Sequence, residues 1–412
     1  MKDIHLYEQI LGLEKPWQVT GVELKHKEKE LEVRVDCGEQ VWGCPECERR
    51  MHVHGREERR WRHLDTCQYK TMIVCEVPRV KCEEHGAQTV QVPWAEKYSR
   101  FTRWFERFGI DVMKECSGKA ACGLLGITWD EADHIKEKAV KRGLERKGKK
   151  VPEVVCMDEK AAGHGHDYVT VAAKVEAGKA VVDGVMDGRK QEAADQYWRQ
   201  FSAEGLERVK AIGMDMWEPY WKSAMAHVPG AARKIVYDRF HLMQHLNRAV
   251  DDVRKDEHLM LAAKGNTALK GTKPLWLYGL ENLPGNWDAQ LKACLRANLK
   301  TARAWRIKEL FRHLYDCATV AEAADFFRVW YRCAMRTALA PIKKVASLFR
   351  ACRDNILTWF EHRVSNSFSE GLNNLIQSVI KKAYGYRNRE RLKRDILFHA
   401  GGLELYPITQ TQ

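Results

Sequence analysis

Apolar and polar positions change period along the 412 residues, and each change marks a different kind of element. Between 17 and 41 they alternate: Val19, Val22 and Leu24, then Leu31, Val33 and Val35, around a charged turn at Lys25–Glu30. Alternation places one set of side chains on one face of a pleated strand, so a β-hairpin is predicted here, with a second β stretch from about Tyr69 to Val80. From Phe101 to Lys150 the period becomes helical. RWFERFGIDVMKE makes one amphipathic helix, and SGKAACGLLGITWDEADHIKEKAVKRG reads as helix, short turn, helix. Thr128 followed by Glu131 is a capping box that opens the last of these helices, and the basic run KRGLERKGKK closes the segment as a linker.

After Pro152 the pattern changes again. VVCMD, DYVTVAAKV, AVVDGVM, VKAIGMD and KIVYD are short apolar runs of the kind found in a sheet buried on both faces. Helical periodicity occupies about 240–262 and 289–360, and a final helix begins near Ser367. No internal repeat or low-complexity segment interrupts the chain. The expected architecture is a small β-rich zinc-binding module at 1–95, a helix-turn-helix with basic linker at 96–150, and an α/β domain at 151–412. An all-α insertion at about 255–360 interrupts that last domain.

Charge narrows the partners. The formal net charge is +13 and most of the excess lies in the last third, which favours a polyanion, because Lys and Arg on phosphates release condensed counterions. Thirteen Cys in a chain this long, behind a charged N-terminus without a signal peptide, fit a reducing compartment where thiols bind metal or fill cores. No apolar run approaches the roughly 20 residues of a membrane span. A soluble, cytoplasmic, nucleoid-associated protein with no membrane partner is expected.

Cys44-Pro-Glu-Cys47 and Cys82-Glu-Glu-His85 are two knuckles separated by 34 residues. Thiolate and imidazole are preferred zinc ligands, and four protein ligands leave no open position for water, so one structural Zn²⁺ is predicted. Cys37, Cys67, Cys75, His52 and His54 lie close enough in sequence to replace one ligand. On the helix after Thr128, His134, Lys136, Lys138, Lys141 and Arg142 are candidates for DNA contact if that helix enters a major groove.

Asp158 and Asp215 each end an apolar strand-like run, which would set two carboxylates side by side at the rim of a sheet. Two such anions repel unless a cation joins them, and Mg²⁺ is the natural resident. Glu370 is the third acid. On its helix it shares a polar face with Asn373, Asn374, Gln377, Ser378 and Lys381, opposite Leu372, Leu375, Ile376, Val379 and Ile380. Ser367 three residues earlier makes a capping box the competing role for this Glu. Two ions about 4 Å apart can activate a water or a 3′-hydroxyl and stabilise the leaving oxygen in an in-line displacement at phosphorus.

VVCMDEK, IGMDMWEPY with YDRFHLMQHLNRAVDDVR, and SNSFSEGLNNLIQSVIKKAYGYRN together resemble the ISL-three family of bacterial insertion-sequence transposases. The likeness spans nearly the whole chain. It implies a ribonuclease H-like catalytic domain of the DDE type and a triad of Asp158, Asp215 and Glu370 holding two Mg²⁺ or Mn²⁺. It also implies a role for His241, in Asp238-Arg-Phe-His241, at the scissile phosphate or leaving strand. The expected partners are the terminal inverted repeats of the element and target DNA, bound by a homodimer or larger assembly. The second knuckle departs from the family's usual CxxC, which leaves the fourth zinc ligand open.

The step of 155 residues from Asp215 to Glu370 exceeds what such a fold requires, so a helical insertion is expected there. It is rich in Trp, Arg and Lys (Trp276, Trp305, Arg312, Trp330, Arg332 and Lys343 among them), partly core and partly suited to bases and phosphates. Downstream, Lys381, Lys382, Arg387 and Arg389 are candidates for backbone contacts, with Arg391, Lys393 and Arg394 beside them. Two other functions fit the same residues: a ribonuclease H-like structure-selective nuclease, which would hydrolyse without joining strands, and a non-catalytic DNA-binding regulator.

Overall fold

The computed structural model describes residues 3–162, 167–176, 179–363, 367–383 and 385–408, and the chain divides into two compact units. Unit 1 is 1–148 together with 403–412; unit 2 is 149–402. Among the described residues no helix is long and apolar enough to cross a membrane.

Unit 1 opens with α1 (Asp3–Leu11) and then β1 (Trp17–Lys25), β2 (Glu30–Cys37), β3 (Val41–Gly43), β4 (Arg50–Arg62), β5 (Lys70–Cys82) and β6 (Gly86–Thr89). The first hairpin forms where alternation predicts it, with Leu24 opposite Leu31. The long strand β4 was not legible, because its sequence RMHVHGREERRWR offers one apolar residue at a time to the core. It pairs antiparallel with β5 from Val53↔Val80 to Arg62↔Met72, and the six strands run β1-β2-β5-β4-β3 with β6 on β5. Trp17, Trp61 and Trp94 meet edge to face over Val33, Ile73 and Val77.

Three helices follow: α2 (Arg103–Glu115), α3 (Gly118–Leu125) and α4 (Trp129–Lys147). Thr102, Ser117 and Thr128 cap them, and the Thr128–Glu131 capping box forms in both directions. Gly126, at φ 62°, takes the left-handed conformation that ends α3 and allows the tight turn into α4. The chain's last described stretch returns to this module. Leu403 lies where a Cβ on Gly143 would come within 2.7 Å of it, Arg146 donates to the carbonyls of Glu404 and Tyr406, and the Tyr406 hydroxyl donates to Asp111.

Unit 2 is built on β7 (Val154–Ala161), β8 (Tyr168–Glu176), β9 (Lys179–Asp187), β10 (Ala211–Met214) and β11 (Ile235–Tyr237), in the order β11-β10-β7-β8-β9. β7, β8 and β9 form an antiparallel meander, whereas β10 and β11 run parallel to β7. Helices α5 (Gln191–Trp198), α6 (Ala203–Glu207) and α7 (Glu218–His227) fill the connections before β11. The all-helical stretch then comprises α8 (Arg239–Ala262), α9 (Lys273–Leu277), α10 (Asp288–Arg296), α11 (Lys300–Arg312), α12 (Val320–Arg336), α13 (Ala340–Ala351), α14 (Arg353–Leu357) and α15 (Trp359–His362). The chain finishes unit 2 with α16 (Ser367–Lys382) and α17 (Arg389–Ala400).

Both faces of the sheet are covered, as its continuous apolar runs predict. Val155, Met157, Ile212 and Met214 join one core with Tyr197, Trp198, Leu242 and the helical stretch. Cys156, Val169, Val171 and Val182 face the other way, against Leu372 and Ile376 of α16 and Leu392 and Ile396 of α17. Trp276, Trp305 and Trp330 are buried, so these three indoles serve packing. Leu375, expected on the apolar face of α16, is 42% exposed: Leu372, Ile376 and Val379 already cover the sheet.

Candidate functional site

Strand parity and register build the carboxylate site. In β7, Val155 and Met157 point to one core, so Cys156 and Asp158 point to the α16 side. β10 pairs with β7 in parallel, Gly213 opposite Cys156 and Met214 opposite Met157. The next residue of each strand is an acid, so Asp158 and Asp215 emerge adjacent and on the same face. Asp158 does not end its strand, as the sequence suggested; β7 continues to Ala161 along β8, with Asp158 opposite Val171, and only the pairing with β10 stops at Met157.

β11 supplies the third side. Asp238 follows its last residue, donates its amide to the Met214 carbonyl at 3.2 Å and caps α8 by accepting from the Phe240 amide at 2.7 Å. This cap turns the first turn of α8 toward the acids. His241 Nε2 lies 2.5 Å from Asp215 Oδ1 and 3.5 Å from Asp238 Oδ2. Ligand atoms of Asp158, Asp215 and His241 all fall within 4.8 Å of one another. Asp158 is held by Lys160 Nζ at 3.0 Å and by the Asn373 side-chain amide, which donates to Oδ2 at 2.8 Å. Glu370 lies one turn before Asn373 on α16; its side chain, like that of Ser367, is outside the described residues.

The electrostatics are those of a site short of positive charge. Burial pushes the Asp215 carboxyl up, against the hydrogen bond from His241, with Asp158 adding repulsion. Burial likewise lifts Asp238 to about 6. For His241 burial works downward, but the bond to Asp215 and the surrounding carboxylates prevail and raise it. Clustered carboxylates with a hydrogen-bonded imidazole suit a hard divalent cation.

Some neighbours escaped the sequence reading. Lys160 was detectable, because two residues along a strand returns to the same face. Arg189 carried no signal: its guanidinium lies over the rings of Tyr168 and Trp217 and 3.5 Å from Glu159. Trp217, with its indole N–H donated to the Arg189 carbonyl at 3.0 Å, and Phe240 are 39% and 60% exposed beside the acids.

In unit 1 the two knuckles meet. Cys47 Sγ is 3.7 Å from Cys82 Sγ, and His85 Nδ1 is 3.5 Å from Cys82 Sγ and 4.0 Å from Cys44 Sγ. Tetrahedral zinc with ~2.3 Å bonds to sulfur requires ligand separations of about 3.7 Å, so the donor set fits that ion. The amide and ring of His85 draw the Cys82 thiol down to about 6, toward the thiolate that zinc needs. Cys37 and Cys75 are buried in the sheet core instead, so His85 is the fourth member of the cluster.

The expected DNA-contact residues divide. Arg142 is a correction: it is 9% exposed, and its guanidinium is held by Glu96 at 2.7 Å, Glu106 at 3.2 Å and the Leu405 carbonyl. Lys136 is also buried, at 8%. Both lie on the face of α4 that packs against the module, since five or six residues of a helix cannot all point outward. His134 and Lys141 are exposed and Lys138 is half-buried. In unit 2 Lys381, Lys382 and Arg387 are exposed, whereas Arg389 is engaged by Asp167.

A family model described as a transposase, of the ISL3 type, matches residues 155–396. A second, the zinc-finger of transposase IS204/IS1001/IS1096/IS1165, matches 40–85, and a third, the helix-turn-helix domain of transposase family ISL3, matches 90–134. The transposase for insertion sequence element IS1001 of Bordetella parapertussis is 26% identical over 399 residues, covering 95% of this chain and 96% of the relative. That for IS1557 of Mycobacterium tuberculosis is 22% identical over 436 residues, covering 95% and 94%. With the zinc-ligand cluster and the carboxylate site each inside the segment its model matches, and the helix-turn-helix model reaching the start of α4, the chain belongs to the ISL3 family of transposases.

Proposed function

We propose that this protein is a DNA transposase of the DDE type that binds the terminal inverted repeats of its insertion sequence, cuts there and joins the ends to target DNA. The observation that carries the reading is the β7–β10 register, which delivers Asp158 and Asp215 side by side on the face toward α16, the helix that bears Glu370. An antiparallel three-strand meander extended by two parallel strands supports a ribonuclease H-like fold for 151–412, with 255–360 as its helical insertion.

Asp158, Asp215 and Glu370 would hold two Mg²⁺ or Mn²⁺, which supply activation of the attacking hydroxyl and stabilisation of the leaving oxygen at phosphorus. Lys160 and Asn373 orient the Asp158 carboxylate. His241, with Nε2 2.5 Å from Asp215 Oδ1, orients that carboxylate and stands beside the phosphate path. The exposed rings of Trp217 and Phe240 offer a face to an unpaired base at the cut. The zinc-binding module (1–95), with one structural Zn²⁺ on Cys44, Cys47, Cys82 and His85, and the helix-turn-helix (96–150) read the ends in a cytoplasmic, nucleoid-associated protein. Two ends need two active sites, so a homodimer or larger assembly forms on DNA.

The test is a labelled duplex carrying the element's own end, incubated with Mg²⁺ or Mn²⁺ and wild type or Asp158→Ala, Asp215→Ala and Glu370→Ala. Nicking and strand joining at the end, lost in all three variants, is expected. Cleavage without joining would make the protein a nuclease, and tight binding without metal-dependent cleavage would make it a regulator.

A further inference from the structure

Away from the carboxylates, α12, α13 and α14 enclose an open groove of about 580 Å³ in the helical stretch. Arg328 and Arg332 of α12, Arg350 of α13 and Arg353 of α14 line it, with Tyr331 and Phe327 among its apolar walls. Two carboxylates stand against four guanidinium groups. Asp325 is taken by Arg328 at 2.6 Å, and Asp354 makes no ion pair among the described residues. Arg332, Arg350 and Arg353 have no carboxylate within ion-pair distance among the described residues; Arg350 stacks over the Tyr331 ring at 4.9 Å.

We propose that this groove is a binding site for consecutive backbone phosphates of duplex DNA. Arg332, Arg350 and Arg353 face one concavity with only the Asp354 carboxylate left to offset them, so positive charge is in excess there, and arginine cannot shed its charge. The arrangement therefore favours an anion, and the planar fork of guanidinium matches phosphate oxygens two at a time. A groove half open to solvent, with charged walls, does not bury a small apolar ligand, but it does accept a backbone lying along it. Tyr331 fixes the direction of Arg350, so one of the donors is already oriented.

The inference rests on DNA being the substrate, and the experiment separates the two. Affinity of the full-length protein for a duplex carrying the element's end and its flanking DNA is measured against salt, for wild type and for Arg332→Ala/Arg350→Ala/Arg353→Ala. Each lost phosphate contact lowers the log–log salt slope by about 0.9, so the slope should fall by about 2 to 3 and affinity at low salt by at least about tenfold. The double variant Arg332→Ala/Arg353→Ala, which leaves the Arg350–Tyr331 stack intact, should show about two-thirds of that slope change. Lys264→Ala/Lys270→Ala, exposed on another part of the helical stretch, should change neither beyond its own share.

Ethylation of particular phosphates should weaken wild-type binding and leave the triple variant indifferent. An unchanged slope with no difference in ethylation interference overturns the proposal. So does arginine-dependent thermal stabilisation by inorganic phosphate or pyrophosphate with an unchanged DNA slope, which would assign the groove to a free phosphate. If the slope changes but wild type never cuts the end in Mg²⁺, the groove stands and the transposase reading falls.

Discussion

Cys44, Cys47, Cys82 and His85 come together as two local knuckles on neighbouring strands, whereas Asp158, Asp215 and His241 come from three elements set side by side by sheet register and a helix cap. In the first cluster the two-residue gap within each pair already curls the chain around a point, and β4 and β5 have only to run back along each other. In the second no short spacing exists; a one-residue slip of β10 on β7 would turn Asp215 away from Asp158. The thiol cluster can therefore contribute to folding directly, while the carboxylates accumulate repulsion that the rest of the unit must outweigh.

Metal removal is the strongest way to test that contrast. Cys44→Ser/Cys47→Ser should lose one zinc per chain and unfold the first module, a loss on the order of 10 kcal/mol of metal-linked folding energy. Zinc stoichiometry by atomic absorption and hydrogen exchange in β4 and β5 check it; full zinc content in the variant would break the assignment. In the second cluster the expected sign on stability is opposite. Asp215→Asn should abolish strand cleavage by on the order of 10³-fold while DNA binding persists, and without metal the variant should melt no lower than wild type, since a repelling charge is removed. A clear drop in melting temperature would mean that Asp215 is a structural residue.

Arg142 sharpens the comparison from within unit 1, because it is a buried charge that has found its partners. Arg142→Met leaves Glu106, 2% exposed, without its cation, and should cost about 3 kcal/mol or more, measured by calorimetry. Replacing Glu106 by Met as well should recover most of that loss.

The smallest effect is a pH dependence of the same unit. His63 is buried with Thr102 Oγ1 2.9 Å from its Nδ1, and burial lowers it to about 4 from an ordinary value of 6.5. A folded value below the unfolded one means that its contribution is complete above pH 6.5 and is lost as pH falls toward 4, by about 2 kcal/mol at pH 5. The difference between wild type and His63→Gln in denaturant midpoint should shrink over that window; a difference constant with pH would rule out His63 as the titrating group.

What the sequence determined by itself is whatever is written in short range. The CxxC and CxxH pairs, the Thr128–Glu131 box, the hairpin alternation and the buried-type strands all depend on neighbours within one element. Their physics survives in the fold because capping, knuckle formation and strand alternation need no distant partner. Three features depended on tertiary structure: β4, whose polar strand is defined by the partner it pairs with; the inward turn of Arg142 and Lys136 on a helix whose cationic residues all read as candidates for DNA contact; and the closing of His241 and Asn373 around Asp215 and Asp158. The last needed the β7–β10 register and the packing of α16 on the sheet, both set by long-range burial of apolar faces that no spacing along the chain records.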